Sequence, residues 1–198
     1  MEELETLRNT WQGEPLEDFP LTVSTEGTVC LSGTLKRLDQ PIVQVTDEAF
    51  GTEFPSVTGK VTAWTDPEKN RPQGEITVLA READLEGDFY NASGYLSNAP
   101  KKLCITLDAG TKLRGTISAT EAKAGENGPQ HQCFSNGGNE VAVTLTGGAV
   151  WTVEGAGYLT SLRVDKGCRL SGMVLLDDRQ LSLQKGKTYE GLLLVLPE

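Results

Sequence analysis

One histidine and no CxxC pair leave this chain of 198 residues with little to hold a metal. A structural zinc site takes four Cys or His ligands at close spacing. The four cysteines stand far apart, at 30, 104, 133 and 168. Free, buried thiols are the simpler expectation beside one or two disulfides, because that spacing carries no framework. No apolar run is long enough to cross a bilayer. Positive charge is also scarce: 18 Lys and Arg against 28 Asp and Glu leave a formal charge of −10. An acidic surface repels phosphate backbones and anionic lipid, so nucleic acid and membrane insertion are not expected. The opening segment, Met1 to Arg8, is charged and has no apolar core of a secretory signal, which leaves the compartment open.

What the chain does contain points to strands. Glycine is abundant (22 residues), Val, Leu, Ile and Thr are frequent, and alanine-rich helical stretches are nearly absent. A single helix is expected, near the start, where Leu4, Leu7 and Trp11 fall at helical spacing before Pro15 and Pro20. Residues 1–20 therefore read as a short amphipathic cap. Residues 21–198 read as one β domain, interrupted by a polar loop at about 119–140.

From Leu21 onward an alternating lead strand, a turn and an apolar–x–Gly–x–apolar unit recur. The clearest copies are Leu21–Val23 to Leu31–Leu35, Ile76–Val78 to Leu85–Phe89, and Ile105–Leu107 to Leu113–Ile117. Two more run Leu162–Val164 to Leu170–Val174 and Leu181–Leu183 to Tyr189–Leu193, with weaker ones at Val57–Val61 and Val143–Leu145 to Val153–Gly155. The motif glycines, at 33, 59, 87, 115, 155, 172 and 191, are separated by 26, 28, 28, 40, 17 and 19 residues. Short strands at such intervals suit the coils of a β-solenoid, whose stacking gives each strand a partner above and below. The expected fold is all-β, a right-handed parallel β-helix with an N-terminal helical cap. A β-sandwich is the alternative, since alternation does not fix topology.

The run from Val143 through Trp151-Thr-Val153 and Tyr158-Leu-Thr-Ser-Leu162 to Gly167, with the closing Gly186-Lys-Thr-Tyr189-Glu-Gly191, resembles right-handed β-helix repeat domains of secreted or surface proteins from Firmicutes. The resemblance covers roughly 103–198. It implies an adhesin-like solenoid at the cell surface or outside the cell, and no catalytic residue or cofactor comes with it.

Residue by residue, bland readings outweigh chemical ones. Asp177-Asp178 would need a third carboxylate to serve as a glycosidase pair, and reads as a turn. Asp84, Glu86 and Asp88 read as a solvated acidic face in preference to a calcium site. His131 and Cys133 share a polar loop without a third group to orient them. Thr22, Thr77, Thr106, Thr144, Arg163 and Ser182 occupy the same place in each lead strand, as a row of polar side chains. Outward aromatics available to a ligand would be Trp64, Tyr90 or Tyr95. No catalytic residue, metal or cofactor is expected. The leading expectation is a non-enzymatic binding or scaffolding module whose partner is a glycan or another surface protein. The alternatives are a carbohydrate-active enzyme, a polysaccharide lyase or hydrolase, and a self-assembling structural protein.

Overall fold

The computed structural model describes residues 21–23, 27–36, 41–45, 75–91, 102–119, 121–123, 130–132 and 139–198. Among them every regular element is a strand, so the all-β class holds. The expected helix around 4–11 and the weak copy at Val57–Val61 lie outside the described residues.

The strands in chain order are β1 (Leu21–Val23), β2 (Gly27–Lys36), β3 (Val43–Val45), β4 (Glu75–Glu86), β5 (Phe89–Asn91), β6 (Lys102–Asp108), β7 (Lys112–Gly115) and β8 (Ile117–Ala119). Then come β9 (Glu121–Lys123), β10 (Gln130–Gln132), β11 (Glu140–Leu145), β12 (Val150–Val153), β13 (Gly157–Val164) and β14 (Arg169–Ser171). The chain closes with β15 (Met173–Leu176), β16 (Arg179–Gln180) and β17 (Thr188–Leu196).

Pairing between successive passes of the chain is parallel. The first halves of β2 and β4, then β6, β11 and β13, form a lead row; the later parts of β2 and β4, then β7, β12 and β14, form a second row. Both belong to one eleven-stranded, strongly curled sheet. A separate four-stranded sheet, β1-β3-β5-β8, is also parallel.

Alternation sets what each row buries. In the lead row Ile76, Val78 and Ala80 stand beside Leu103, Ile105 and Leu107, then Val141, Val143 and Leu145, all at most 1% exposed. In the second row Leu85, Leu113 and Trp151 stack in the same way. Each such Val, Leu or Ile side chain contributes about 1.5–3 kcal/mol relative to an exposed one. A parallel sheet is normally covered on both faces and then reads as a continuous apolar run. Here the outward positions are half-buried in the lead row and mostly exposed in the second, which is why the sequence alternates.

The corner between the two rows is a four-residue turn in three passes, and a turn of the same form precedes β17. Residues 108–111, 146–149, 165–168 and 184–187 each close with a bond from the fourth N–H to the first carbonyl, of 3.0–3.2 Å. Each has glycine third, at φ +73, +83, +82 and +80 for Gly110, Gly148, Gly167 and Gly186. A side chain at Gly110, Gly148 or Gly167 would meet nothing, so the left-handed backbone alone selects glycine. Gly115 is selected by space instead: a Cβ there would overlap the carbonyl oxygen of Gly87. From within the core, Trp151 Nε1 donates to the Gly115 carbonyl at 2.9 Å.

Three expected repeat alignments shift. Leu35, not Leu31, stands beside Leu85, and Trp151, not Val153, stands beside Leu113. Leu21–Val23 pairs with Val43–Val45 in the small sheet, and the lead-row strand of that pass begins at Gly27. The last copy departs further. Its strand β17 runs antiparallel along β13 and β15, and Leu181–Leu183 form no strand. Within the expected loop, β9 and β10 form an antiparallel ribbon.

Candidate functional site

The outward side of the lead row is the most distinctive surface among the described residues. Across it, Thr77, Cys104, Ala142 and Ser161 form one line, and Leu79, Thr106, Thr144 and Arg163 the next. All but Arg163 are half-buried and uncharged. Parallel strands in register place like positions about 4.8 Å apart, so these lines form a strip of methyl and hydroxyl groups.

Most of the charge gathers at the two ends of these strands, in ion pairs, while Arg163 stands at one corner of the strip and Glu190 of β17 lies beside Ser161 at its edge. On one rim Lys102 Nζ lies 4.0 Å from both Glu75 and Glu140. On the other, Arg81 donates to Asp108 at 3.2 Å and Arg163 donates to Asp165 at 2.8 Å. A strip that is locally close to neutral therefore sits on a chain of charge −10. Its one thiol is quiet. Burial, and after it the Glu75 carboxylate, push the Cys104 thiol up to about 11.

The outward side of the second row has the opposite character. Lys36 pairs with Glu86 at 3.0 Å, Glu86 stands beside Arg114, and Arg114 pairs with Glu154. The hydrogen bond and charge of Lys36, aided by Arg114, hold the Glu86 carboxyl below its ordinary range. Glu154 likewise holds the Arg114 guanidinium above its own. This is a ladder of alternating sign across four passes.

The residues singled out from sequence do not gather. Trp64, Tyr95 and Cys133 lie outside the described residues, and of His131 only its place in β10, beside Ala122, is described. Tyr90 was wanted on the outside, but it is only 9% exposed and its hydroxyl donates to Asp88 Oδ2 at 2.9 Å. Asp88 is occupied by structure, its Oδ1 accepting from the Thr116 N–H at 2.6 Å. Glu86 is engaged by Lys36, so Asp84, Glu86 and Asp88 form no joint site. Asp177 and Asp178, at φ +50 and +61, are the two-residue turn of the β15–β16 hairpin. Cys104 and Cys168 are free thiols, Cys168 buried. Among the described residues no three His, Cys, Asp or Glu side chains gather as metal ligands.

Of the expected polar row, only Thr106, Thr144 and Arg163 share a line. Leu79 takes the place foreseen for Thr77, Thr22 belongs to the small sheet, and Ser182 lies beyond any strand. The uncharged strip and its rims were missed. Their signal was present in the turn glycines, which recur at separations of 38, 19 and 19 residues and fix which outward positions align. No family model, curated protein or solved structure matches this chain.

Proposed function

We propose that the chain is a non-enzymatic binding or scaffolding module, its passes forming a right-handed β-solenoid, and that it holds an extended neutral ligand, a glycan, along the lead-row strip. The observation that carries this is the uncharged hydroxyl-and-methyl strip bounded on both sides by ion pairs. Four strands at about 4.8 Å, and six residue steps from rim to rim at about 3.3 Å, give roughly 400 Å². That is half of the roughly 800 Å² a stable protein partner buries on each side, and it suits a linear ligand better. Sugar rings bring both apolar faces and hydroxyls, and the strip offers a counterpart to each. With its basic groups already paired and Glu190 at its edge, an anionic ligand finds little there.

The sequence's resemblance to surface β-helix domains supports this reading, and with it a location outside the cell or on its surface. A carbohydrate-active enzyme would need two carboxylates facing one bond, and no observation favours that reading here.

The test is calorimetric titration with neutral and anionic oligosaccharides, repeated on Thr144→Arg. Binding of a neutral oligosaccharide is expected, insensitive to salt, and weakened at least tenfold by the substitution while the Tm stays put. Affinity unchanged in that variant, or confined to anionic sugars and lost with salt, would refute the assignment.

A further inference from the structure

The last unit of the chain has the sequence of a parallel pass but does not fold as one. Set 19 residues apart, Leu162, Val164, Lys166, Gly167, Leu170, Gly172 and Val174 correspond to Leu181, Leu183, Lys185, Gly186, Tyr189, Gly191 and Leu193. The same step relates Val143, Leu145, Gly148 and Trp151 to Leu162, Val164, Gly167 and Leu170, and those two passes do pair in parallel at this register. Inward apolar positions, turn glycine and corner glycine are therefore all in place for one more parallel pass.

What forms instead is a strap. β17 lies antiparallel on β13, with Thr188 beside Arg163 and Tyr189 beside Leu162. The fit is imperfect, because the register slips between Leu159 and Ser161. The turn at 184–187 also sits out of step. In the preceding pass the first turn residue donates to the stacked carbonyl, Asp165 N–H to Leu145, at 2.9 Å. The corresponding donor to Val164 would be Gln184, but Gly186 makes that bond, at 2.8 Å. The acceptor is the one a parallel pass would use, reached two residues late. Meanwhile β14 pairs only with β12 among the described strands, and Leu192 is 50% exposed. A parallel pass would set Tyr189 against Leu170 and Leu192 against Met173.

We infer that residues 181–196 have two arrangements, the antiparallel strap and an added parallel pass, so that the C-terminal unit is a two-state closure of this end of the sheet. In the second arrangement Leu181–Leu183 take the edge of β13, β17 moves to the edges of β14 and β15, and the outward strip gains one strand. Both arrangements bury Leu193 and keep the turn glycine at Gly186, which is why one sequence supports both.

Disulfide trapping separates them at exposed positions. Arg163→Cys with Thr188→Cys reports the strap, and Arg163→Cys with Ser182→Cys reports the parallel pass, since Arg163, Thr188 and Ser182 are all solvent-exposed. The native cysteines are kept, mild oxidation is applied, and linked peptides are identified by mass spectrometry. Each variant is expected to form its own cross-link, with reduced proteins melting like the parent. If only one of the two cross-links forms, or neither, the two-arrangement inference is overturned. Amide exchange on the unmodified chain is a second reading that depends on no variant. Thr188–Leu196 should exchange as a unit while Glu140–Leu145 stay protected. Loss of protection in both segments together would overturn the inference as well.

Discussion

The lead row and the second row share an interior and differ on the outside. Both bury large aliphatic or aromatic side chains to within 1% exposure at matching positions, and both are built from the same passes of chain. Outward, one carries an uncharged strip with charge held at its rims, and the other a ladder that runs from Lys36 through Glu86 and Arg114 to Glu154. Inward apolar burial supplies stability without choosing among neighbours. Alternating charge discriminates, because a pass misplaced by one would set like charges side by side. The lead row can therefore leave its outer face uncharged while the second row favours one stacking order.

If the interior is common property, breaking it at either row should cost the whole sheet. Trp151→Ala removes the largest fully buried side chain and its bond to the Gly115 carbonyl. A loss of about 3–5 kcal/mol is expected in urea unfolding. A loss under about 1 kcal/mol would mean the second row is not part of the shared core. Gly115→Ala should follow closely, at about 3 kcal/mol, because the new methyl meets backbone and not a side chain that can turn aside.

Smaller effects separate the two outer faces. Cys104 on the strip, with its thiol raised to about 11 from an ordinary 9.0, should be alkylated about a hundredfold more slowly at pH 8 than a free thiol. Peptide mapping after timed iodoacetamide treatment measures this, and a rate like that of free cysteine would place Cys104 in open solvent. On the ladder, the Glu86 carboxyl is held below its ordinary 4.5, so its contribution is full above that value and fades as pH falls through its folded value. Glu86→Gln should flatten the fall of Tm in that acidic window, at low salt more than at high salt. Parallel Tm–pH curves for the two proteins would remove the ladder from the account.

Much of the strand pattern was legible, and the misalignments within the two rows have one cause. The alternation correctly placed Leu85, Leu113 and Leu170 on one inward line, and Asp177-Asp178 in a turn. The misplacements at Leu31, Val153 and Thr77 are slips of two or four residues. An even slip keeps every side chain on its own face, so hydrophobic pattern cannot detect it. The turn glycines would have done so at Val153, since the 38 residues from Gly110 to Gly148 set Trp151 against Leu113, but the earlier passes with Leu31 and Thr77 carry no such glycine. Tyr90, a ligand candidate only if it faced outward, is 9% exposed. An aromatic ring can face either way on a strand, and its hydroxyl found Asp88 two residues back.

The sequence by itself determined which side chains face inward and where the chain must turn, because a period of two and a left-handed glycine are local properties. Register, strand direction and the character of each outer face were decided by tertiary structure. Those depend on which pass lies beside which, and backbone hydrogen bonds between passes are indifferent to most of the side chains they join. The closing unit makes the point most plainly: residues 181–196 repeat the pattern of the pass before them, yet they lie across it in the opposite direction.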